Sequence, residues 1–416
     1  MRRLGVVVSV LALVAVSAVI RAHVPASALD NGLARTPPMG WNGFNHFRRD
    51  VTESIVKTEA QTIVASGMQA AGYRYVNLDG GWDLLQRDPD GQLQPDPAKF
   101  PHGIKALADF VHSLGLKFGI YASAGLTNCA ATSAGSYGHY QQDADTFASW
   151  GVDYVKLDWC VIPYQDFPDL SAEQVAQLLG TQMGQALAAT RRPMVYDIND
   201  ASGARNHDED WTWAPGIANL WRVTSDIADT YTSMVNHFCS CAGQPTGRSS
   251  DVGLYAFAGP GGWNDPDMLE VGNGGMTNTE YQAEFSLWAE MAAPLIAGND
   301  LGTMSAATQR ILTNRAVIAV DQDPLGKQGY PVTNASGDWV LSKQLANGDR
   351  AVVLFNQNDT PAVISTSASQ IGLPDAQAYL QNDLWRHAAT RTTGAISATV
   401  PAHAVVMYRV TPIPAG

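Results

Sequence analysis

Tyr154-Val155-Lys156-Leu157-Asp158 is a short apolar run that ends in a carboxylate. The same form recurs along the chain. Met39-Gly40-Trp41-Asn42, Tyr73-Arg74-Tyr75-Val76-Asn77-Leu78, Lys117-Phe118-Gly119-Ile120-Tyr121 and Pro193-Met194-Val195-Tyr196-Asp197-Ile198 all read as buried strands. Leu220-Trp221-Arg222-Val223, Gly262-Trp263-Asn264 and Pro294-Leu295-Ile296 complete a series of eight. Amphipathic helical patterns separate them. Ile55, Val56, Ala60, Ile63, Val64 and Met68 share one face at 3.6-residue spacing, as do Leu107, Phe110, Val111 and Leu114, and Val175, Leu178, Leu179 and Met183. Strand and helix alternating eight times imply parallel pairing with right-handed crossovers, and a closed (β/α)8 TIM barrel is the expected fold. A doubly wound open sheet is disfavoured, because no G-x-G-x-x-G follows the early strands.

Beyond Asp323-Pro324-Leu325-Gly326 the period changes from helix to strand. Trp339-Val340-Leu341-Ser342-Lys343, Ala351-Val352-Val353-Leu354-Phe355 and Ala404-Val405-Val406-Met407-Tyr408 are separated by turn signals such as Ser336-Gly337-Asp338, Asn347-Gly348-Asp349 and Thr393-Gly394. We therefore expect a barrel over residues 29–326 and a small antiparallel β-sandwich domain over 327–416. Residues 1–28 carry a basic start, an apolar run from Leu4 to Ile20 and the A-x-A site Ala26-Ser27-Ala28, the pattern of a secretory signal peptide. The expected product is a secreted, extracellular chain with no membrane span after its removal.

The formal net charge of −13 becomes about −16 once Arg2, Arg3 and Arg21 leave with the signal. Such a surface repels phosphate backbones, so nucleic acid and anionic membranes are not expected partners. A neutral glycoside is compatible with it. There are four cysteines. Cys239 and Cys241 are separated by one residue, which strains ring closure and favours Cys129 with Cys160 as the bridge. No C-x-x-C and no H-E-x-x-H occurs, so neither metal nor other cofactor is expected. The acidic runs Asp208-Glu209-Asp210 and Asp88-Pro89-Asp90-Gly91 lack EF-hand spacing and read as surface loops.

A barrel presents its chemistry at the C-terminal ends of its strands. Asp79, Tyr121, Lys156, Asp158, Asn199, Arg222, Asp226, Asp265 and Asp267 all fall there. A single Asp after a strand is ordinarily a helix cap, but recurrence around one rim points to a site. Two carboxylates across a pocket are the minimum kit for glycoside hydrolysis, one attacking or activating water, one protonating the leaving oxygen. Lys156 is placed to keep Asp158 ionised, and the acid partner should be the less well paired of the two.

The longer motifs resemble glycoside hydrolase family 27. They are Thr36-Pro37-Pro38-Met39-Gly40-Trp41-Asn42, Gly151-Val152-Asp153-Tyr154-Val155-Lys156-Leu157-Asp158-Trp159-Cys160, the segment from Gly259 to Leu269, and Asp321-Gln322-Asp323-Pro324-Leu325-Gly326-Lys327-Gln328-Gly329. The resemblance implies a retaining α-glycosidase with Asp158 as nucleophile and Asp226 as acid/base. It implies sugar contacts from Trp41, Asp79, Tyr121, Lys156, Arg222 and Asp267, and a Cys129–Cys160 disulfide.

Three stretches depart from the family pattern. Asp79-Gly80-Gly81-Trp82 stands where the family shows Asp-Asp-Cys-Trp, so one carboxylate that grips the sugar is gone. Ile198-Asn199-Asp200 stands where it shows Cys-Glu-Trp or Cys-Ser-Trp, and Trp159 follows the nucleophile in place of a small residue or Asn. Gly80, Trp159 and Asn199 are therefore candidate specificity positions, with Asp83 or Trp159 as candidates to replace the lost group. Terminal α-galactosides are the expected substrates. The alternatives are a β-L-arabinopyranosidase or an isomalto- or α-glucan-cleaving enzyme of the same family, and, from another class, a catalytically degenerate carbohydrate-binding protein.

Overall fold

The computed structural model describes residues 29–199, 209–242 and 253–414. The expected signal peptide and Asp208 lie outside these residues. Eight parallel strands run as β1 (Met39–Asn42), β2 (Tyr75–Leu78), β3 (Lys117–Ser123), β4 (Tyr154–Asp158), β5 (Val195–Asn199), β6 (Leu220–Arg222), β7 (Trp263–Asp265) and β8 (Leu295–Ala297). Each pairs with its sequence neighbour from β1 through β7, and β1 also pairs with β8. Closure between the ends of the sheet comes just beyond β7. There Leu269 N donates to Ile296 O at 2.8 Å, and Gly298 N to Leu269 O at 2.9 Å. The result is the TIM barrel the alternation implied.

The strands are almost wholly buried, and their packing is close enough to dictate glycine at one step. A Cβ on Gly119 of β3 would lie 2.0 Å from Asn77 Oδ1 of β2. The crossover helices bury the faces that their periodicity assigns. In Glu53–Ala65, Val56, Ala60 and Ile63 are buried, whereas Val64 is exposed and Met68 belongs to the next short helix. Val64 was expected inside. It sits at the edge of the apolar stripe, where a strict 3.6-residue repeat has drifted toward solvent. A second difference concerns Asp210, expected in a surface loop but 1% exposed, in a helical turn, Asp210–Thr212, before β6.

The C-terminal part holds β9 (Tyr330–Ala335), β10 (Asp338–Gln344), β11 (Arg350–Asn356), β12 (Ala362–Ser367), β13 (Ala378–Asp383), β14 (Ala388–Thr392), β15 (Ala395–Val400) and β16 (Val405–Ile413). Six form one antiparallel sheet in the order β14-β13-β16-β11-β10-β9, and β12 with β15 form the second. The two-residue period of a strand explains how this domain is anchored. Val340, Val352, Leu354 and Val406 enter the core shared with Ile364 and Ile396 of the small sheet. Their alternating neighbours Trp339, Leu341, Val353, Phe355 and Met407 instead join the barrel's own core. Phe238 of the barrel helix Tyr231–Ala242 meets Trp339 edge-on at 4.9 Å and Phe355 at 5.7 Å. One sheet thus has both faces buried, one against each core.

That same helix carries Cys239 and Cys241, which are free. Two residues apart on a helix, their side chains diverge by about 200° and do not face each other. No helix among the described residues is long and apolar enough to cross a membrane.

Candidate active site

The C-terminal ends of the strands converge on a cavity of about 180 Å³. Pockets for drug-sized ligands run to ~300–1,000 Å³, so this smaller space suits one sugar ring rather than a chain. Asp79 and Gly80 follow β2, Tyr121 belongs to β3, Lys156 and Asp158 to β4, Asn199 ends β5 and Arg222 ends β6. Asp226 lies four residues past β6 and Asp267 two past β7. All nine line the cavity. Parallel register explains the layering: Tyr121 pairs with Lys156 and Lys156 with Asp197, while Ser123, Asp158 and Asn199 form the next row.

Asp158 accepts hydrogen bonds from Tyr121 OH at 2.9 Å and from Asn199 Nδ2 at 2.9 Å. Burial pushes its carboxyl above the usual aspartate range, against the pull of nearby Lys156, and the Asp79 charge adds to the rise. Lys156 was expected beside Asp158, keeping it ionised, and its charge does pull the Asp158 carboxyl down, although the ammonium makes no hydrogen bond to it. Its Nζ instead bonds Asp79 Oδ2 at 2.8 Å. Asp79 also accepts from Asn42 Nδ2 and from the Gly80 N–H, both at 2.7 Å. Burial works against the Asp79 charge, but Lys156 and these donors outweigh it and hold the carboxyl below its ordinary value.

Arg222 forms the second charged assembly. Its Nη2 reaches Asp267 Oδ2 at 2.6 Å, Asp226 Oδ1 at 3.1 Å and Ser225 O at 3.2 Å. Asp267 has φ +87°, a left-handed conformation unusual for a residue with a Cβ. It is fixed there by Ile227 N and Met268 N, which donate to its two carboxylate oxygens, and by Trp288 Nε1, which donates to its carbonyl. The Asp226 side chain is 86% exposed. The acid partner was expected to be poorly paired. It is open to solvent yet already in contact with a guanidinium.

Trp41 and Trp159 stand apart from the cavity. Trp41 is fully buried and donates from Nε1 to Asn299 O at 2.8 Å. Trp159 donates to Tyr164 OH at 3.1 Å. Asp83, considered as a substitute for the missing carboxylate, is buried outside the cavity wall, and burial raises its carboxyl to about 7. Neither Asp83 nor Trp159 fills the gap at Gly80. The nearest atoms to a Cβ built on Gly80 would be those of the Tyr121 ring, at 3.5 Å or more.

Cys129 and Cys160 are joined in a disulfide that clamps the loop after β3 to the loop after β4. Asp158 lies close to both sulfurs, but their bond to each other leaves no thiolate pair for a metal. The sequence reading missed Phe44, Asn45, Arg48, Arg49 and Asn128, which also line the cavity. Phe44 and Asn45 lie in a one-turn helix, Phe44–Phe47, Arg48 and Arg49 in the single 3-10 turn Arg48–Asp50, and Asn128 in the loop after β3, segments too short for a period to mark them.

A barrel whose strand ends bring two carboxylates, one enclosed by neutral donors and one open to solvent, onto a cavity the size of one sugar ring has the makings of a glycoside hydrolase. Comparison with known proteins agrees. Residues 36–323 match the family described as alpha galactosidase A, and residues 336–410 match the alpha galactosidase C-terminal beta sandwich domain. The chain is 42% identical over 388 residues to an alpha-galactosidase of Cyamopsis tetragonoloba, covering 92% of this chain and 88% of that one. Alpha-galactosidase I from Mortierella vinacea superposes with a TM-score of 0.83 at 33% identity, covering 92% of this chain and 98% of the other. An alpha-galactosidase from Saccharomyces cerevisiae with raffinose gives 0.82 at 28% identity, covering 92% and 99%. The chain belongs to glycoside hydrolase family 27, the alpha-galactosidase family.

Proposed function

We propose that the protein hydrolyses terminal α-galactosides with retention of configuration. The observation that carries this is the placement of Asp158 and Asp226 on one cavity, with two cation–carboxylate assemblies beside them. The 42% identity to a named alpha-galactosidase supports the choice of galactose.

Asp158 attacks the anomeric carbon as the bond to the leaving oxygen breaks, and that oxygen takes a proton from Asp226. The product is a glycosyl ester on Asp158. Water then attacks the same carbon, gives its proton to Asp226 and frees the Asp158 carboxylate. Two inversions restore the starting configuration. Tyr121 and Asn199 orient the Asp158 oxygens along the attack line. Asp79, Lys156 and Asp267 offer fixed acceptors and donors to the sugar hydroxyls, and Arg222 holds Asp226 and Asp267 together.

Proton NMR of an aryl α-galactoside digest tests this. The α-anomer of the sugar should appear first, and Asp158→Ala should lose turnover while keeping its fold. First appearance of the β-anomer would overturn retention, and near wild-type activity in the variant would overturn the nucleophile. The open wall at Gly80 favours a second reading, a sugar altered at that edge, as in a β-L-arabinopyranoside or an α-glucan. Comparing kcat/KM on aryl α-galactoside, β-L-arabinopyranoside, α-glucoside and α-isomaltoside separates the readings. We further propose export through residues 1–28. Amino-terminal sequencing of protein recovered from culture medium should begin at Leu29.

A further inference from the structure

The charges lining the cavity fall into two groups. Lys156 and Arg222 are committed to Asp79, Asp226 and Asp267. Arg48 and Arg49, on the same wall, pair with no carboxylate among the described residues. Arg48 lies with its Cζ 5.6 Å from the centroid of the Phe44 ring and takes φ +52°, a strained value for a residue with a Cβ. Strain of that kind persists only where surrounding structure enforces it, and it concentrates at ligand sites.

The enforcement is visible at Arg49. Its carbonyl accepts from Lys99 Nζ at 2.6 Å, and the same ammonium reaches Gly81 O at 3.1 Å. A Cβ on Gly81 would stand 3.0 Å from Arg49 Cα and Cβ, so only glycine lets the two segments approach this closely. The arginine-bearing 3-10 turn Arg48–Asp50 is thereby fastened beside Gly80, where the wall has no side chain of its own.

We propose that Arg48 and Arg49 form an anion subsite beside Gly80, and that the preferred substrate is an α-galactoside whose sugar bears a negative group, a carboxylate or a sulfate ester. This rests on the α-galactosidase reading. A guanidinium fork matches either group with two parallel hydrogen bonds. An anionic sugar is repelled by Asp158 and Asp226, Lys156 and Arg222 are already held by carboxylates, and the two uncommitted cations on the wall offset the repulsion. The acidic net charge of the chain does not oppose this at contact range, because charges beyond a Debye length of about 8 Å are largely screened.

The test compares kcat/KM for aryl α-galactoside, aryl α-galacturonide, aryl 6-O-sulfo-α-galactoside and the α-galactoside of a sulfonated phenol. Wild type is set beside Arg48→Gln/Arg49→Gln and Arg48→Lys/Arg49→Lys double variants. At low salt a charged sugar should be preferred over the neutral galactoside by tenfold or more, with the gap narrowing as salt rises. The preference should collapse in the Gln pair and return in part in the Lys pair. The proposal is overturned if the neutral sugar is turned over best, if the gain follows only the sulfonated phenol, or if the Gln pair keeps the wild-type ratio. Calorimetric binding of galacturonate against galactose separates this from the reaction itself. If no galactoside is hydrolysed but galacturonate binds more tightly in an arginine-dependent way, the α-galactosidase reading fails and the subsite stands.

Discussion

The ammonium of Lys156 bonds Asp79 at 2.8 Å and makes no hydrogen bond to Asp158, the carboxylate two positions along its own strand. Two side chains on one strand face point the same way, but the end of β2, two strands away across the barrel, offers the closer oxygen. The side chains of this pair are 14% and 5% exposed. Removing one partner of a buried ion pair costs about 3–5 kcal/mol, because the other charge is left without compensation. Lys156→Met should therefore lower the urea midpoint markedly as well as activity. A variant as stable as wild type would show that Asp79 finds another partner.

Asp158 should set the acid limb of the kcat/KM profile. Its carboxyl lies above its ordinary value, chiefly through burial, so activity should fall with decreasing pH at a point above about 3.9. The hydrogen bond from Tyr121 pulls the other way. Tyr121→Phe should move the limb to higher pH, and a limb unmoved by that change would count against Asp158 as the titrating group.

The same shift is a stability statement. A carboxylate whose folded pKa is raised destabilises the native state wherever it is ionised, and the penalty fades as pH falls through the folded value. Asp158→Asn keeps the shape and removes the charge, while the Tyr121 hydroxyl can rotate to accept. We expect the variant to melt at a higher temperature than wild type at pH 7 and to lose turnover. A lower Tm would refute the electrostatic account.

Several further carboxyls are raised by burial, to about 7 at Glu59, Glu270 and Glu290 and about 8 at Asp321. Between about pH 4 and 8 the folded chain then holds more protons than the unfolded chain, so stability falls as pH rises through that window. The lowered carboxyls Asp79, Glu53 and Glu280 act oppositely and lose their contribution only in stronger acid. Thermal unfolding should show its highest Tm at mildly acidic pH. A maximum above pH 8 would contradict this.

Gly80→Asp should be accommodated, since its Cβ would make only an ordinary contact with Tyr121. A charge-assisted hydrogen bond is worth about 1.5–3 kcal/mol, so the added carboxylate should raise kcat/KM on neutral aryl α-galactoside about tenfold or more. No gain would mean that Arg48 and Arg49 draw the new carboxylate away from the sugar, which calorimetry of galactose binding would reveal.

The sequence by itself determined the barrel. Apolar runs at strand length, separated by helical periods, leave few other ways to bury eight strands, and β1 through β8 lie within one or two residues of the runs that announced them. It also determined the rim. Asp79, Tyr121, Lys156, Asp158, Asn199, Arg222 and Asp267 were legible because a strand end is a fixed point in a periodic pattern. The β-sandwich was legible for the same reason, through the alternation in β10 and β11.

What only the tertiary structure decided were relations between elements. Which carboxylate takes Lys156 depends on strand register and side-chain reach, and neither leaves a trace in spacing. The resemblance implied a sugar contact from Trp41, but its indole is fully buried and donates to Asn299 O, a partner from the far end of the barrel sequence that spacing does not mark. Arg48 and Arg49 stand on the cavity because Gly81 and Lys99 hold the 3-10 turn Arg48–Asp50 against the loop after β2. A single turn and a loop carry no period, and a contact between them is fixed by packing in three dimensions.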